Sequence, residues 1–309
     1  MAREKGRDMN FQPLKRERVP LLLGVAGGTG SGKTMSALLL ARGLSGGRPF
    51  AGVDTENGRM NHYADLFPEC EAAAITAPFR PGKYAEAIEA ADQAGYPVII
   101  VDSMSHEWYG DGGCLDWHDE LMGGDQKKNL SAWIEPKKQH KHMVTRLLQL
   151  RAHVVLCFRA EPKVEAVKRP DGRTEIVPKA SLTGLDGWIP IAEKNLPYEL
   201  TASFLLTADK PGVPRPIKLQ EQHRAMVPLD RPLSEDVGRA LAGWAAGGAA
   251  PVGSGDQEVV DQLLQLGEER GNRDQVLDAI EKHRAKSTAA VHSRWLRTQL
   301  DRVREPQPA

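Results

Sequence analysis

The stretch GVAGGTGSGKTMSALLLARGL (residues 24–44) decides how this chain is read. Four glycines within residues 27–32 lead into a lysine, a threonine and a run of good helix formers. Residues 27–34, GGTGSGKT, fit the pattern G-x-x-x-x-G-K-[S/T] in full. That pattern answers a specific need. A run of backbone N–H groups must turn inward on phosphate oxygens, and side chains at the tight turns would block the approach. The helix that follows directs the positive end of its dipole at the same place. The phosphate cradle is therefore assigned to Gly27, Gly28, Thr29, Gly30, Ser31, Gly32, Lys33 and Thr34. Lys33 would reach the β- and γ-phosphates as a point charge, and Thr34 would give its hydroxyl to Mg²⁺. The implied cofactors are ATP and Mg²⁺.

Composition sets the frame around this loop. A chain of 309 residues can bury a large core and carry an appendage. Lysine plus arginine and aspartate plus glutamate both number 41, so any basic site must be local rather than global. Three cysteines, Cys70, Cys114 and Cys157, are few, odd in number and widely spaced, which argues against a disulfide framework. Residues 1–20 lack an apolar signal core, and no apolar run approaches the ~20 residues needed to span a bilayer. A cytoplasmic protein without a membrane partner is the expectation.

The pattern outward from the loop is an alternation. LLLGVA (21–26), PFAGVD (49–54), EAAAIT (71–76), PVIIVDS (97–103) and HVVLCF (153–158) read as strands. Residues 34–44, 82–95 and the part of 131–151 beyond Pro136 read as helices. This implies an α/β fold with a mostly parallel sheet and helices on both faces. KVEAVKRPDGRTEIVP (163–178) has two β-like arms around a Pro-Asp-Gly turn and reads as a protruding hairpin. Residues 199–209 and 215–220 would extend the sheet, and 233–245 reads as a helix. The expected organisation is a mobile arm (1–19), a nucleotide-binding core (20–245), a linker (246–256) and a helical C-terminal domain (257–309) of three helices.

Two acidic positions complete the loop. Asp102 ends an apolar strand, where a doubly wound sheet places it beside the phosphates, so it would hold Mg²⁺ together with Thr34. Glu56 lies two residues beyond a strand end. If that strand neighbours the first, Glu56 would face the γ-phosphate and orient a water.

With these residues in place, positions 20–220 resemble the RecA-like branch of P-loop ATPases. Within it they resemble the compact phage ATPases with a RecA core that act as single-strand annealing recombinases. Asp54-Thr55-Glu56 matches an Asp-x-Glu whose glutamate is the catalytic base, and Asp102-Ser103 matches the end of the metal-binding strand. Where such proteins carry a glutamine or asparagine at the fourth strand, this chain has Phe158-Arg159. Arg159 would then act as an arginine sensor or finger, and either Arg159 or Lys194 would reach a neighbouring subunit's γ-phosphate. The resemblance implies a ring or filament of identical subunits on single-stranded DNA, annealing and recombination activity, and a single-strand DNA-binding protein as a further partner. If the chain is phage-encoded, the compartment is a bacterial host's cytosol.

Candidate DNA contacts follow. The hairpin region 159–181 carries Arg159, Lys163, Lys168, Arg169, Arg173 and Lys179. Residues 104–128 offer Trp108, Tyr109, Trp117 and the pair Lys127-Lys128. The C-terminal unit is basic through Lys282, Arg284, Lys286, Arg294, Arg297, Arg302 and Arg304, around Trp295. A zinc set built on Cys114, His118 and His106 is not expected, because the spacing does not supply four ligands. The same loop would also serve a nucleotide or small-molecule kinase, with the hairpin as its lid.

Overall fold

The computed structural model describes residues 18–179, 187–247, 254–286, 295, 296 and 298–300. Among the described residues the strands are β1 (Leu22–Gly27), β2 (Phe50–Asp54), β3 (Cys70–Ala74), β4 (Val98–Asp102), β5 (His153–Pro162), β6 (Val164–Lys168), β7 (Thr174–Pro178), β8 (Trp188–Pro190), β9 (Ala202–Thr207) and β10 (Lys210–Lys218). The helices through the core are α1 (Lys33–Ser45), α2 (Pro81–Gln93), α3 (Ser105–Tyr109), α4 (Cys114–Met122), α5 (Asn129–Ala132), α6 (Ile134–Leu147), α7 (Leu196–Glu199), α8 (Glu221–Arg224) and α9 (Glu235–Ala245). The chain divides into two compact units, Pro20–Ala242 and one that begins at Gly243.

The central sheet runs β10-β9-β1-β5-β4-β2-β3. Every pair from β9 to β3 is parallel, and β10 closes one edge antiparallel to β9. β8 adds antiparallel to the outer half of β5. β1, β2, β4 and β9 are buried along their whole length, as continuous apolar strands between two helical layers must be. Alternate residues of these strands, with Tyr84 and Ile88 of α2 and Met143 and Leu147 of α6, form one face of the core. α1 packs on β1, β2, β4 and β5.

This order corrects one expectation. β2 does not neighbour β1; β5 and β4 stand between them. The alternation of strand and helix fixes the sense of each crossover but leaves open which earlier strand a new one pairs with. A second difference concerns α6, which starts at Ile134 rather than beyond Pro136. Pro136 falls in the first turn, where its missing N–H costs nothing.

α1 and α9 meet backbone to backbone. A Cβ on Gly43 would lie 2.1 Å from the Glu235 carbonyl oxygen, and one on Gly238 2.4 Å from that of Leu40. Both positions exclude any side chain. Arg42 fixes the same contact by pairing with Glu69 and, at 3.2 Å, with Glu235.

In the second unit α10 (Ser254–Glu269) and α11 (Arg273–Lys286) are separated by a turn at Gly271, with φ +69°. Val260, Leu263, Ile280, Leu296 and Leu300 form its core. Trp295 stacks on His283 at 4.3 Å, so its ring is already engaged. Lys282 pairs with Asp278 at 2.7 Å. The side chains of Arg284, Lys286, Arg294, Arg297, Arg302 and Arg304 lie outside the described residues, as do most of the expected arm and linker. No helix among the described residues is long and apolar enough to cross a membrane.

Candidate functional site

The glycine-rich segment turns at the carboxyl end of β1. Gly30 (φ +74°) and Gly32 (φ +82°) adopt the left-handed conformation that a side chain would strain. Ser31 is buried, and its hydroxyl donates to the Gly28 carbonyl at 2.8 Å. Ser36 N–H donates to Gly32 O at 2.9 Å and opens the helical ladder. The N–H groups of the first turn therefore have no intrahelical acceptor and are available to an anion. Lys33 folds over the loop, its Nζ donating to Gly28 O at 2.8 Å. Burial draws the Lys33 pKa down, while Asp102 and Glu56 pull it the other way.

The two oxygen donors expected for a metal are in contact. Thr34 Oγ1 donates to Asp102 Oδ2 at 2.6 Å. Asp102 is buried, and burial raises its pKa above the usual carboxylate range. A buried carboxylate beside a hydroxyl, with a lysine near by, is a hard-oxygen set that suits Mg²⁺. The residues present thus fit the metal that the sequence implied.

Glu56 reaches this group in spite of the strand order, because β2, β4 and β5 all end on the same edge of the sheet. Asp54 sets its position. The two Asp54 carboxylate oxygens accept from Glu56 N at 2.6 Å and Met60 N at 2.9 Å, which wraps the chain tightly after β2. Glu56 then meets two arginines. Arg159 donates to Oε1 from Nε (3.1 Å) and Nη2 (2.8 Å), and Arg59 donates to Oε2 at 3.0 Å. Burial alone would raise the Glu56 pKa, but the two guanidiniums outweigh it and hold the carboxyl below its ordinary value. Arg159 remains half-exposed.

The ends of β2, β4 and β5 are laced together. Thr55 Oγ1 accepts from Ser103 N at 2.8 Å and meets His106 Nδ1 at 2.8 Å. Met104 N donates to Cys157 O at 2.8 Å, and Arg159 N donates to Ser105 Oγ at 2.9 Å.

These are the features of a P-loop nucleotide site: a left-handed glycine turn, a lysine over it, and a threonine–aspartate pair beneath. The family model described as AAA domain matches residues 20–188, more than half of the chain. The chain belongs to the AAA domain family. No curated protein matches it. The AAA domain is a P-loop ATPase domain, and the matched span holds the loop, Glu56, Asp102, Arg159 and the hairpin. It ends before β9, which pairs with β1, and β10, which closes that edge of the sheet.

Two contacts with the loop were not legible in the sequence. Trp188, at the start of β8, packs on Gly28, where an added Cβ would lie 3.2 Å from the indole. Gly212 N donates to Ser31 O at 2.9 Å, so the start of β10 buttresses the loop from the other side.

Other expected residues are placed as follows. Lys194 is exposed. The hairpin β6–β7 forms as expected, with Ala166 opposite Ile176. Much of its charge is internally paired: Arg169 with Glu175 (2.6 Å), Arg173 with Asp171 (4.0 Å) and Lys163 with Glu161 (3.4 Å). Lys168 and Lys179 are exposed. Trp108 is not a free stacking platform; it lies against Trp133 at 5.8 Å and edge-on to His140. Trp117 is covered by the Arg80 guanidinium at 4.5 Å, whereas Tyr109 is open to solvent.

Proposed function

We propose that the chain is a Mg²⁺-dependent ATPase that binds single-stranded DNA and uses nucleotide turnover to promote strand annealing and recombination. Glu56 carries the reading. Its charge acts on Lys33 of the phosphate loop, and its partner Arg159 lies on the strand that runs directly into the basic hairpin. One ion pair therefore links the hydrolytic residue to the candidate DNA surface.

In this reading the N–H groups of the loop and Lys33 hold the phosphates, and Thr34 and Asp102 hold the metal. Mg²⁺, when bound, supplies charge neutralisation on the β- and γ-phosphoryl oxygens. Glu56 accepts the proton of the attacking water. To do so it must give up part of its hold on Arg159, because a carboxylate shared by two guanidiniums is a weak base. Arg159 is free to turn towards a phosphate oxygen, where its charge opposes the negative charge of the transition state. In this reading the exposed Lys194 would meet the γ-phosphate of a neighbouring copy in a ring or filament.

The ion pairs on the hairpin do not count against DNA binding. Exposed pairs of this kind stabilise a fold by about 0–1 kcal/mol each, so phosphates can displace the acidic partners. The expected result is a salt-dependent affinity for a fluorescent single-stranded oligonucleotide. Replacing Lys168, Arg169 and Arg173 together by alanine should flatten the slope of log affinity against log salt by about 2, at about 0.7 per lost phosphate contact. An unchanged slope would remove the hairpin from the DNA surface.

A further inference from the structure

The helices between β4 and β5 hold a polar cluster that the phosphate site does not use. Glu107 on α3, Cys114 at the start of α4 and His140 in α6 are all buried. Cys114 Sγ donates to Glu107 Oε1 at 3.2 Å, and His140 Nδ1 meets the same oxygen at 2.9 Å. The three donor atoms lie within 4.8 Å of one another. The other ring nitrogen of His140 faces Glu193 Oε2 at 4.0 Å. Glu193, also buried, is fixed by the backbone N–H and side-chain amide of Asn195 at 2.6 and 3.1 Å.

This is a costly arrangement for a protein interior. Two buried carboxylates face a single imidazole, and buried charge is tolerated only when it is paired or bound to a metal. Arg80 is the cation closest to hand, but it is committed elsewhere. It pairs with Glu120 at 2.5 Å and lies over Trp117, while its Nη1 is buried with no hydrogen-bond partner.

The donor set itself has a chemical preference. Zinc takes thiolate, imidazole and carboxylate at about 2.0–2.3 Å in a tetrahedron, which sets neighbouring donors roughly 3.3–3.8 Å apart. The contacts of 2.9 and 3.2 Å would open by a few tenths of an ångström, and the Cys114–His140 pair, within 4.8 Å, would settle to the same spacing. A zinc-bound histidine commonly presents its second nitrogen to a carboxylate, the place Glu193 holds here. Sulfur disfavours Mg²⁺, so this cluster would not compete with Thr34 and Asp102 for the metal of the nucleotide.

We propose that Glu107, Cys114 and His140 bind a zinc ion, with Glu193 as the outer carboxylate that orients His140. Binding forms Zn–S, Zn–N and Zn–O bonds. It releases the Cys114 thiol proton to solvent and leaves the His140 ring proton on Nε2, the nitrogen that faces Glu193, and no electron moves. The sequence pointed away from this set because it grouped Cys114 with His118 and His106. His118 instead stacks on Trp133 and bonds to Asp119 and Asn129, and His106 bonds to Thr55. The metal would tie three helices of one insert together. It would also brace the strand end that carries Arg159, because Ser105 links α3 to both Arg159 N and Ile191 O.

The test uses the full-length protein, stripped with a chelator and titrated with Co²⁺ in the absence of nucleotide and Mg²⁺. We expect one Co²⁺ per chain, with a thiolate-to-cobalt charge-transfer band that Zn²⁺ abolishes on displacing it. Cys114→Ser should lose the band and Cys70→Ser should keep it. His140→Gln, which leaves the thiol in place, and Glu193→Gln should each weaken Zn²⁺ binding by at least about 10-fold, with an unchanged far-ultraviolet circular dichroism spectrum. A wild-type protein that shows no such band, a band that survives Cys114→Ser, or an affinity unmoved by His140→Gln would each overturn the proposal.

Discussion

Replacing Lys33 by alanine is expected to lower ATP turnover by at least about 100-fold and to weaken binding of a fluorescent ATP analogue. The size follows from what Lys33 does in the loop. Its ammonium lies over the glycine turn at 2.8 Å from Gly28 O, half-buried, where the effective dielectric is low and a positive charge acts strongly on phosphate. Losing one such group from a preorganised anion site costs about 2.7–4 kcal/mol of transition-state stabilisation. The fold should survive. The turn is set by Gly30, Gly32 and the Ser31 hydroxyl, and none of these depends on the lysine. Thermal unfolding of the variant without nucleotide should match the parent, whereas the shift on adding Mg-ATP should be much reduced. A variant that turned ATP over at the parental rate would show that the nucleotide lies elsewhere.

The second large effect is at Glu56. Glu56→Gln is expected to retain ATP binding and to lose hydrolysis by about 100- to 10,000-fold, the range that general base catalysis contributes. Glutamine keeps the shape and can still accept a hydrogen bond from Arg159 or Arg59. Both arginines are substantially exposed, so neither is left as a stranded buried charge. Loss of binding together with hydrolysis would assign Glu56 to holding the loop rather than activating water. The two substitutions are therefore distinguishable: Lys33→Ala should affect binding and turnover together, and Glu56→Gln turnover alone.

The parts of the site that lie close together in sequence could be read from it. GGTGSGKT between a strand and a helix dictates the turn at Gly30 and Gly32, because the glycines, the lysine and the helix start are contiguous. Asp102 followed from the end of a continuous apolar strand, and the β6–β7 hairpin from a Pro-Asp-Gly turn between two β-like arms. What the sequence left open depends on tertiary pairing. Nothing local says that β5 lies between β1 and β4, or that Arg159 meets Glu56 across 103 residues. Trp188 against Gly28 and Gly212 against Ser31 are contacts of the same kind. Glu107, Cys114 and His140 sit on three helices whose packing brings them together, so their spacing matches no familiar ligand pattern. The aromatic residues after β4 could not be placed from sequence for a similar reason. Trp108 is exposed or engaged according to where Trp133 falls, and only the folded chain settles that.

Under the proposed function, nucleotide turnover at Glu56 is coupled through Arg159 to DNA on the hairpin. Its most direct test is steady-state ATP hydrolysis by the full-length protein in Mg²⁺, with and without a single-stranded oligonucleotide, at low and high salt. Stimulation by DNA that fades as salt rises is the expected result, since phosphate contacts release counterions and weaken with ionic strength. Turnover indifferent to DNA at both salts, or absent until a small phosphate acceptor is added, would contradict it and move the site towards a kinase.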